Sequence, residues 1–230
     1  MKLTHLAIIP DGNRRWAKKH KLASFKGHEK GAETFEKILN KAVELKIPYF
    51  SFWGASLDNV TKRSKQEIVH LFKIFEKQFG RLLEDERIMK YEIKIEAIGR
   101  WREIFPKKVC DLIEKCIQKT RNNKKMVLTF FLAYNGEDEM IECISAIKEK
   151  KEKVTEKTIK KNLWTKNLPA LDFIIRTGIK DDPHNSAGFM MWDSAYSQLY
   201  FSKTLFPDFN GKELEKAVMN FRERELRKGR

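Results

Sequence analysis

Five short runs rich in apolar, aromatic or β-branched residues, at 6–9, 49–53, 93–98, 127–132 and 171–175, recur along the chain. Between them lie longer segments in which apolar residues return every three or four positions. This alternation of strand and helix periods restricts the chain to an α/β fold with a mostly parallel central sheet flanked by helices. With 230 residues, 41% of them hydrophobic, the chain suits one large domain, 1–230, better than two small ones. Helix starts are legible where Ser64 precedes Glu67, where Asn135 precedes Glu137 and Asp138, and where Asn210 precedes Glu213. The lysine-rich stretch 148–161 reads as an exposed helix end and connector, and no internal repeat is visible.

The first apolar run leads into HLAIIPDGNRRWAKKH, residues 5–20. A strand ending in Asp-Gly-Asn and passing into a basic helix offers backbone N–H groups at a helix N-terminus, where a phosphate is held by hydrogen bonds and dipole. Gly12 lets the backbone approach such a ligand, and Arg15 grips phosphate oxygens with a planar fork. Asp11 would repel a bare phosphate, so its presence calls for a divalent cation between the two anions. The string therefore outlines a site for a diphosphate with Mg2+.

A second pattern points to an apolar ligand. Ile68, Leu71, Phe72, Phe75, Phe79, Leu82 and Leu83 form a wide, bulky stripe on one helix, which serves as ordinary core or as one wall of an apolar tunnel between the sheet and the long helices. The formal charge of +15 invites a polyanionic partner. Nucleic acid is not expected, because the lysines are dispersed instead of forming a basic stripe interleaved with aromatics. Cys110, Cys116 and Cys143 lack metal-binding spacing and read as reduced thiols of a cytoplasmic protein. The apolar run at 6–9 is far shorter than the ~20 residues a membrane span requires, so neither export nor spanning is expected.

The opening string also resembles the first signature of the cis-prenyltransferases, the undecaprenyl diphosphate synthase group. The resemblance continues in order through FKGHEKGAE, SLDN with Lys62, Arg63 and Glu67, FFLAYNGEDEM, IIRTG, SAGFMMWDSAYSQLYFS, FPDF and the closing Arg227-Lys228-Gly229. It implies an Mg2+-dependent enzyme that condenses an allylic prenyl diphosphate with isopentenyl diphosphate and releases diphosphate. On the same resemblance Asp11 holds Mg2+ and assists departure of the allylic diphosphate, which Gly12, Asn13, Arg14 and Arg15 cradle. Ser24, His28 and Arg63 belong to that mouth, Trp16 and Ser56 contact substrate, and Asn59 takes part in catalysis by positioning. Arg176 binds the diphosphate of the second substrate with Ser186 beside it, and Gly229 closes the site across a homodimer. Such an enzyme is expected to touch a membrane surface peripherally, since its apolar product must leave into lipid.

The chain departs from the family pattern at several places. Ser24 stands where an arginine is usual, with Lys26 a candidate substitute. The loop after Arg176 lacks a second arginine, leaving Lys180 or His184 to serve and His184 to approach the metal. Gln198 replaces a glutamate linked to magnesium, and Val60 replaces a tryptophan. These changes keep an alternative open: an irregular, head-to-middle condensation with dimethylallyl diphosphate as acceptor, as in lavandulyl-type relatives. A subunit of a heteromeric prenyltransferase is a further alternative, disfavoured by the intact Asp-Gly-Asn-x-Arg string.

Overall fold

The computed structural model describes residues 2–224. From the N-terminus the chain forms β1 (His5–Ile9), α1 (Asn13–Lys19), α2 (Ser24–Glu44), β2 (Tyr49–Ala55), α3 (Leu57–Thr61), α4 (Lys65–Glu84), α5 (Glu86–Lys90) and β3 (Ile93–Ile98). It continues through α6 (Trp101–Ile104), α7 (Lys107–Thr120), β4 (Met126–Leu132), α8 (Gly136–Glu149), α9 (Glu156–Asn162), β5 (Phe173–Arg176) and β6 (Gln198–Phe201). A 3-10 turn at Phe206–Asp208 then leads to α10 (Gly211–Glu223).

The strands form one sheet in the order β3-β4-β2-β1-β5-β6, every neighbouring pair parallel. All five residues of β1 are buried, and its side chains alternate between two cores. Leu6 and Ile8 join the larger core, built with Phe35, Ile38 and Leu39 of α2, Leu71, Phe75 and Phe79 of α4, and Leu214, Val218 and Phe221 of α10. Ala7 and Ile9 face the smaller core of Trp53, Phe131, Tyr134, Leu168, Leu171, Phe189 and Met190. Each Leu, Ile or Phe so buried stabilises the fold by about 1.5–3 kcal/mol relative to exposure. Among the described residues no helix is long and apolar enough to cross a membrane.

The expected caps hold with one change of partner. Ser64 accepts from the Glu67 amide, and Asn210 with Glu213 closes a reciprocal capping box. Asn135 precedes α8 without capping it; its side-chain oxygen accepts instead from the Leu57 amide at 3.3 Å, tying α3 to the end of β4. The sixth strand, Gln198–Phe201, was not among the five expected runs. It is a four-residue edge strand with no buried residue, so it carries no continuous apolar signature. The fifth run begins two residues late because the Asp172 carboxylate accepts from the Thr4 and His5 amides ahead of β5.

Sheet order also locates the functional crevice. The chain leaves β1 toward β2 on one side, while β5 lies against β1 on the other. Ligands of open parallel sheets bind outside the carboxyl ends of the strands at such a switch point. Here that point lies between the ends of β1 and β5, where Ile9 and Arg176 pair.

Candidate active site

Just beyond that pair the segments following β1 and β5 clasp each other. The Asp11 amide donates to Thr177 Oγ1 at 3.0 Å, and Thr177 Oγ1 donates to the Asp11 carbonyl at 2.9 Å. Gly12 then turns the backbone with φ 108°, a region strained for any side chain, and a Cβ there would stand 2.7 Å from Leu205 Cδ2. The turn starts α1, whose first amides have no acceptor within the helix. Gly31 of α2 lets α1 lie close, since a Cβ would come within 2.3 Å of Asn13 Oδ1.

The Asp11 carboxylate is gripped from two sides. Oδ1 accepts from Arg15 Nη2 at 2.9 Å and Oδ2 from Arg176 Nη2 at 3.0 Å. Arg15 Nη1 also donates to the Gly178 carbonyl at 2.6 Å, and Arg176 Nη1 to the His184 carbonyl at 2.8 Å. The Arg176 side chain is only 9% exposed, while Asp11 is one-third exposed. Among the described residues Arg176 Nε, a buried donor, and Asn13 Oδ1, a buried acceptor, have no partner. Two guanidinium groups thus converge on one carboxylate at the switch point, and one of them, Arg176, keeps a further buried N–H.

These groups form the wall of an open cavity of about 870 Å³. Of the expected residues it is lined by Asp11, Gly12, Asn13, Arg14, Arg15, Ser24, His28, Ser56, Asn59, Arg63, Arg176 and Ser186. Ser56 caps α3 by accepting from the Asn59 amide at 3.1 Å, which sets Asn59 on the first turn facing the cavity. Arg14 reaches Glu67 at 3.3 Å. The structure adds Lys18, Lys21 and Trp53 to the wall. The two lysines sit in a basic run that reads like any solvated helix end, and Trp53 reads as strand core, so neither was distinguishable in the sequence.

His28 and Arg63 are coupled. Arg63 Nη1 lies 3.1 Å from His28 Nε2, so the imidazole accepts and the guanidinium donates. Burial, then the charges of Arg63 and Arg14, pull the His28 pKa from 6.5 down to about 4. The buried His5, held between the Pro169 carbonyl and Ser51 Oγ, is pulled down to about 4 as well, chiefly by burial. A histidine kept neutral in the fold stabilises it fully above pH 6.5, and that contribution is lost as pH falls toward about 4, because the unfolded chain takes up the proton first. The urea midpoint is therefore expected to fall on acidification across this window, with a shallower fall for His28→Gln. Equal slopes for the two proteins would count against the assignment.

Five other residues named from the sequence lie outside the cavity wall. Trp16 does not line the cavity; its Nε1 donates to Asp208 at 2.7 Å and its ring stacks on His20, pinning α1 to the 3-10 turn. His184 brings its carbonyl to Arg176, while its imidazole pairs with Asp182 at 3.1 Å. Gln198 opens β6 beside Phe173, at the end of the sheet opposite Asp11, and its side-chain oxygen accepts from Arg224. Lys26 pairs with Glu29 and Lys180 with Asp181, both outside the cavity wall. Gly229 lies outside the described residues.

The cavity leads inward to an apolar recess of about 80 Å³ between α2, α4 and the sheet. Pro10, Asn13, His28 and Gly54 line both spaces, so a molecule with an anionic head at Asp11 would pass Gly54 with its tail. Of the α4 stripe, Leu71, Phe75, Phe79 and Leu82 line the recess. The same Leu71, Phe75 and Phe79 also belong to the core.

Comparison with known proteins bears on this geometry. A family described as "Putative undecaprenyl diphosphate synthase" matches residues 9–229. A tritrans,polycis-undecaprenyl-diphosphate synthase (geranylgeranyl-diphosphate specific) of Pyrococcus horikoshii is 36% identical over 98% of this chain and 86% of its own. An isoprenyl transferase of Thermus thermophilus is 34% identical over 98% of this chain and 88% of its own. Among solved structures, lavandulyl diphosphate synthase of Lavandula x intermedia in complex with dimethylallyl diphosphate superposes with a TM-score of 0.87 at 28% identity. That match covers 99% of this chain and 98% of the synthase.

Proposed function

The chain belongs to the undecaprenyl diphosphate synthase family of cis-prenyltransferases, and from that membership we propose how its own residues divide the work of joining an allylic prenyl diphosphate to isopentenyl diphosphate. The observation that carries the proposal is the shape of the site: a cationic, carboxylate-bearing mouth at the β1–β5 switch point that narrows past Gly54 into an apolar recess. A prenyl diphosphate has the same division, a dianionic head and a hydrocarbon tail.

The first diphosphate sits on the turn at Gly12 and the opening amides of α1, with Arg15 and Arg63 on its oxygens. As the allylic C–O bond breaks, negative charge gathers on the departing diphosphate, and these fixed donors stabilise it more than they stabilise the intact substrate. Arg176, with Ser186 beside it, takes the second diphosphate; its orphan Nε is a ready donor to an anionic oxygen. The double bond of the second substrate then attacks the allylic cation, and loss of a proton completes the new unit. Asn59 orients the reacting ends, since an amide is no base at neutral pH. No enzyme-bound covalent intermediate is needed.

Mg2+ fits this mouth as a shared ion. Among the described residues no group of three His, Cys, Asp or Glu could hold a metal alone. Magnesium usually takes one or two carboxylates with substrate phosphates, and the carboxylate here is that of Asp11. When bound, the ion would neutralise charge on the diphosphate. Release of Asp11 from Arg15 and Arg176 would accompany substrate entry, because both carboxylate oxygens are engaged in the free chain.

Gly54 is the neck. A Cβ there would stand 2.8 Å from Leu132 Cδ2 and 3.5 Å from Phe75 Cε1, so a larger side chain fills the passage. Gly54→Leu is expected to lower kcat/KM with geranyl diphosphate about tenfold or more relative to dimethylallyl diphosphate. Equal discrimination by the variant and the parent protein would place the tail elsewhere.

Likeness to the lavandulyl synthase favours a second reading, irregular condensation with dimethylallyl diphosphate as acceptor. Incubation with labelled isopentenyl or dimethylallyl diphosphate, Mg2+ and a set of allylic primers, with mass and NMR analysis of the dephosphorylated product, separates the two. A linear cis product supports elongation, a branched one the irregular route, and no product at all removes both. The proposal includes a homodimer and peripheral contact with lipid. Leu199 on the β6 edge and Met219 on α10 are exposed apolar side chains, and Lys18, Lys21 and exposed Leu22 rim the mouth. Sedimentation with and without anionic vesicles tests both associations.

A further inference from the structure

Two buried N–H donors without acceptors leave the same face of the sheet. Trp53 Nε1 and Arg176 Nε are both buried, and among the described residues neither has a hydrogen-bond partner. Both residues line the cavity; Trp53 is 7% exposed and Arg176 no more so. Their placement follows from the strand registers. Ile8 of β1 pairs with Phe52 of β2, which sets Trp53 level with Ile9, and Ile9 pairs with Arg176 of β5. Side chains alternate along a strand, and Ile9, Trp53 and Ile174 all belong to the smaller core, so Trp53 and Arg176 flank Ile9 on one face. Strand spacing of about 4.8 Å puts their backbones roughly 10 Å apart, a span that an indole, a guanidinium and one phosphate between them fill.

That face is the one away from the apolar recess. Gly54, the next residue of β2, lines the recess, where a Cβ would meet Phe75 of α4. Trp53 lies instead against the loop that follows Arg176. Its ring stacks on Phe189 with centroids 5.3 Å apart and planes 25° from parallel. Ser186, three residues before Phe189, lines the same cavity as Trp53. Between Arg176 and Ser186 the chain has no second arginine. Lys180 pairs with Asp181 and the His184 imidazole with Asp182, both outside the cavity wall.

We propose, resting on the prenyltransferase reading above and deepening it, that Trp53 is a ligand of the second substrate: its indole N–H donates to the diphosphate that Arg176 binds. Indole nitrogen is a donor only and carries no charge, so the bond it offers does not depend on pH. A buried donor left without an acceptor has lost its hydration for nothing, and an anionic oxygen supplies the missing acceptor in a charge-assisted bond. The stack on Phe189 holds the ring in place before the substrate arrives, which reduces the side-chain freedom lost on binding.

Trp53→Phe keeps an aromatic ring against Phe189 and removes the N–H. In assays of the purified protein with Mg2+ and dimethylallyl diphosphate, its KM for isopentenyl diphosphate is expected to rise about tenfold or more, with KM for the allylic primer little changed. Trp53→Tyr, which carries a hydroxyl donor, is expected to recover part of the loss. The melting temperature of Trp53→Phe is expected to equal or exceed that of the parent, because an unpaired donor leaves the core; a packing role alone would lower it and raise both KM values together. A crystal structure of the parent protein with isopentenyl diphosphate needs no variant, and should place Trp53 Nε1 about 3 Å from a phosphate oxygen. An unchanged KM for isopentenyl diphosphate in folded Trp53→Phe, an equal rise in both KM values, or a bound diphosphate out of reach of the indole overturns the proposal and leaves the prenyltransferase reading standing. Absence of transfer by the parent protein from every allylic primer overturns that reading, and the proposal with it.

Discussion

Asp11→Asn is expected to reduce turnover by about a thousandfold or more while leaving the fold intact, the size of effect seen when a preorganised charge-stabilising group is removed. Asparagine keeps the volume and one acceptor oxygen, so Arg15 and Arg176 retain partial partners. What disappears is the one carboxylate among the described residues that line the mouth, and with it the means of holding a cation against a diphosphate. Asp11 is one-third exposed, so its loss from the pair with Arg176 is softened by water and costs little stability. The clasp of the Asp11 backbone with Thr177 does not involve the side chain and survives the substitution. Near-normal turnover in a variant with an unchanged melting temperature would remove Asp11 from the reaction.

Arg176→Ala should act on the second substrate. This guanidinium joins Asp11 at the end of β1 to the His184 carbonyl in the following loop, and it keeps a buried Nε without a partner. Truncating a buried, hydrogen-bonded charge typically costs about 2–5 kcal/mol of binding, so KM for isopentenyl diphosphate should rise about a hundredfold or more. KM for the allylic primer should move far less, since Gly12, Arg15 and Arg63 remain. Arg176→Lys should recover little, because an ammonium cannot reproduce a fork that serves two fixed acceptors and an incoming phosphate. An equal rise in KM for both substrates would merge the two diphosphate sites assigned to this mouth.

Much of this arrangement is legible in the sequence because local rules and global fold agree there. The five buried strands appear as apolar runs, and Asp-Gly-Asn-x-Arg at the end of the first is a local string whose parts fold into contact within one turn. Arg176 is legible only through resemblance, since its meeting with Asp11 depends on β1 and β5 pairing across 165 residues of chain. The placement of Trp16 was hidden for the opposite reason. The residue lies inside the string, but one helical step turns it toward Asp208 instead of the cavity. The placement of Gln198 was hidden because β6, a short half-exposed edge strand, gave no sign of its direction, and a parallel strand places its first residue far from the carboxyl ends. The small volume of the recess was out of reach as well: a phenylalanine at a helical step is equally a core residue and a wall, and only the ring positions distinguish them.

The allylic diphosphate is assigned to the Gly12 turn, between Arg15 and Arg63, with Asp11 the carboxylate that would hold a divalent cation against it. The most direct measurement is a crystal structure of the protein with a thiolo-diphosphate analogue of the allylic substrate and Mn2+, read by anomalous scattering. Phosphorus density is expected against the first amides of α1, with a manganese peak at the Asp11 carboxylate and the hydrocarbon tail passing Gly54. Analogue bound with this corner empty, or manganese held away from Asp11, would contradict that assignment.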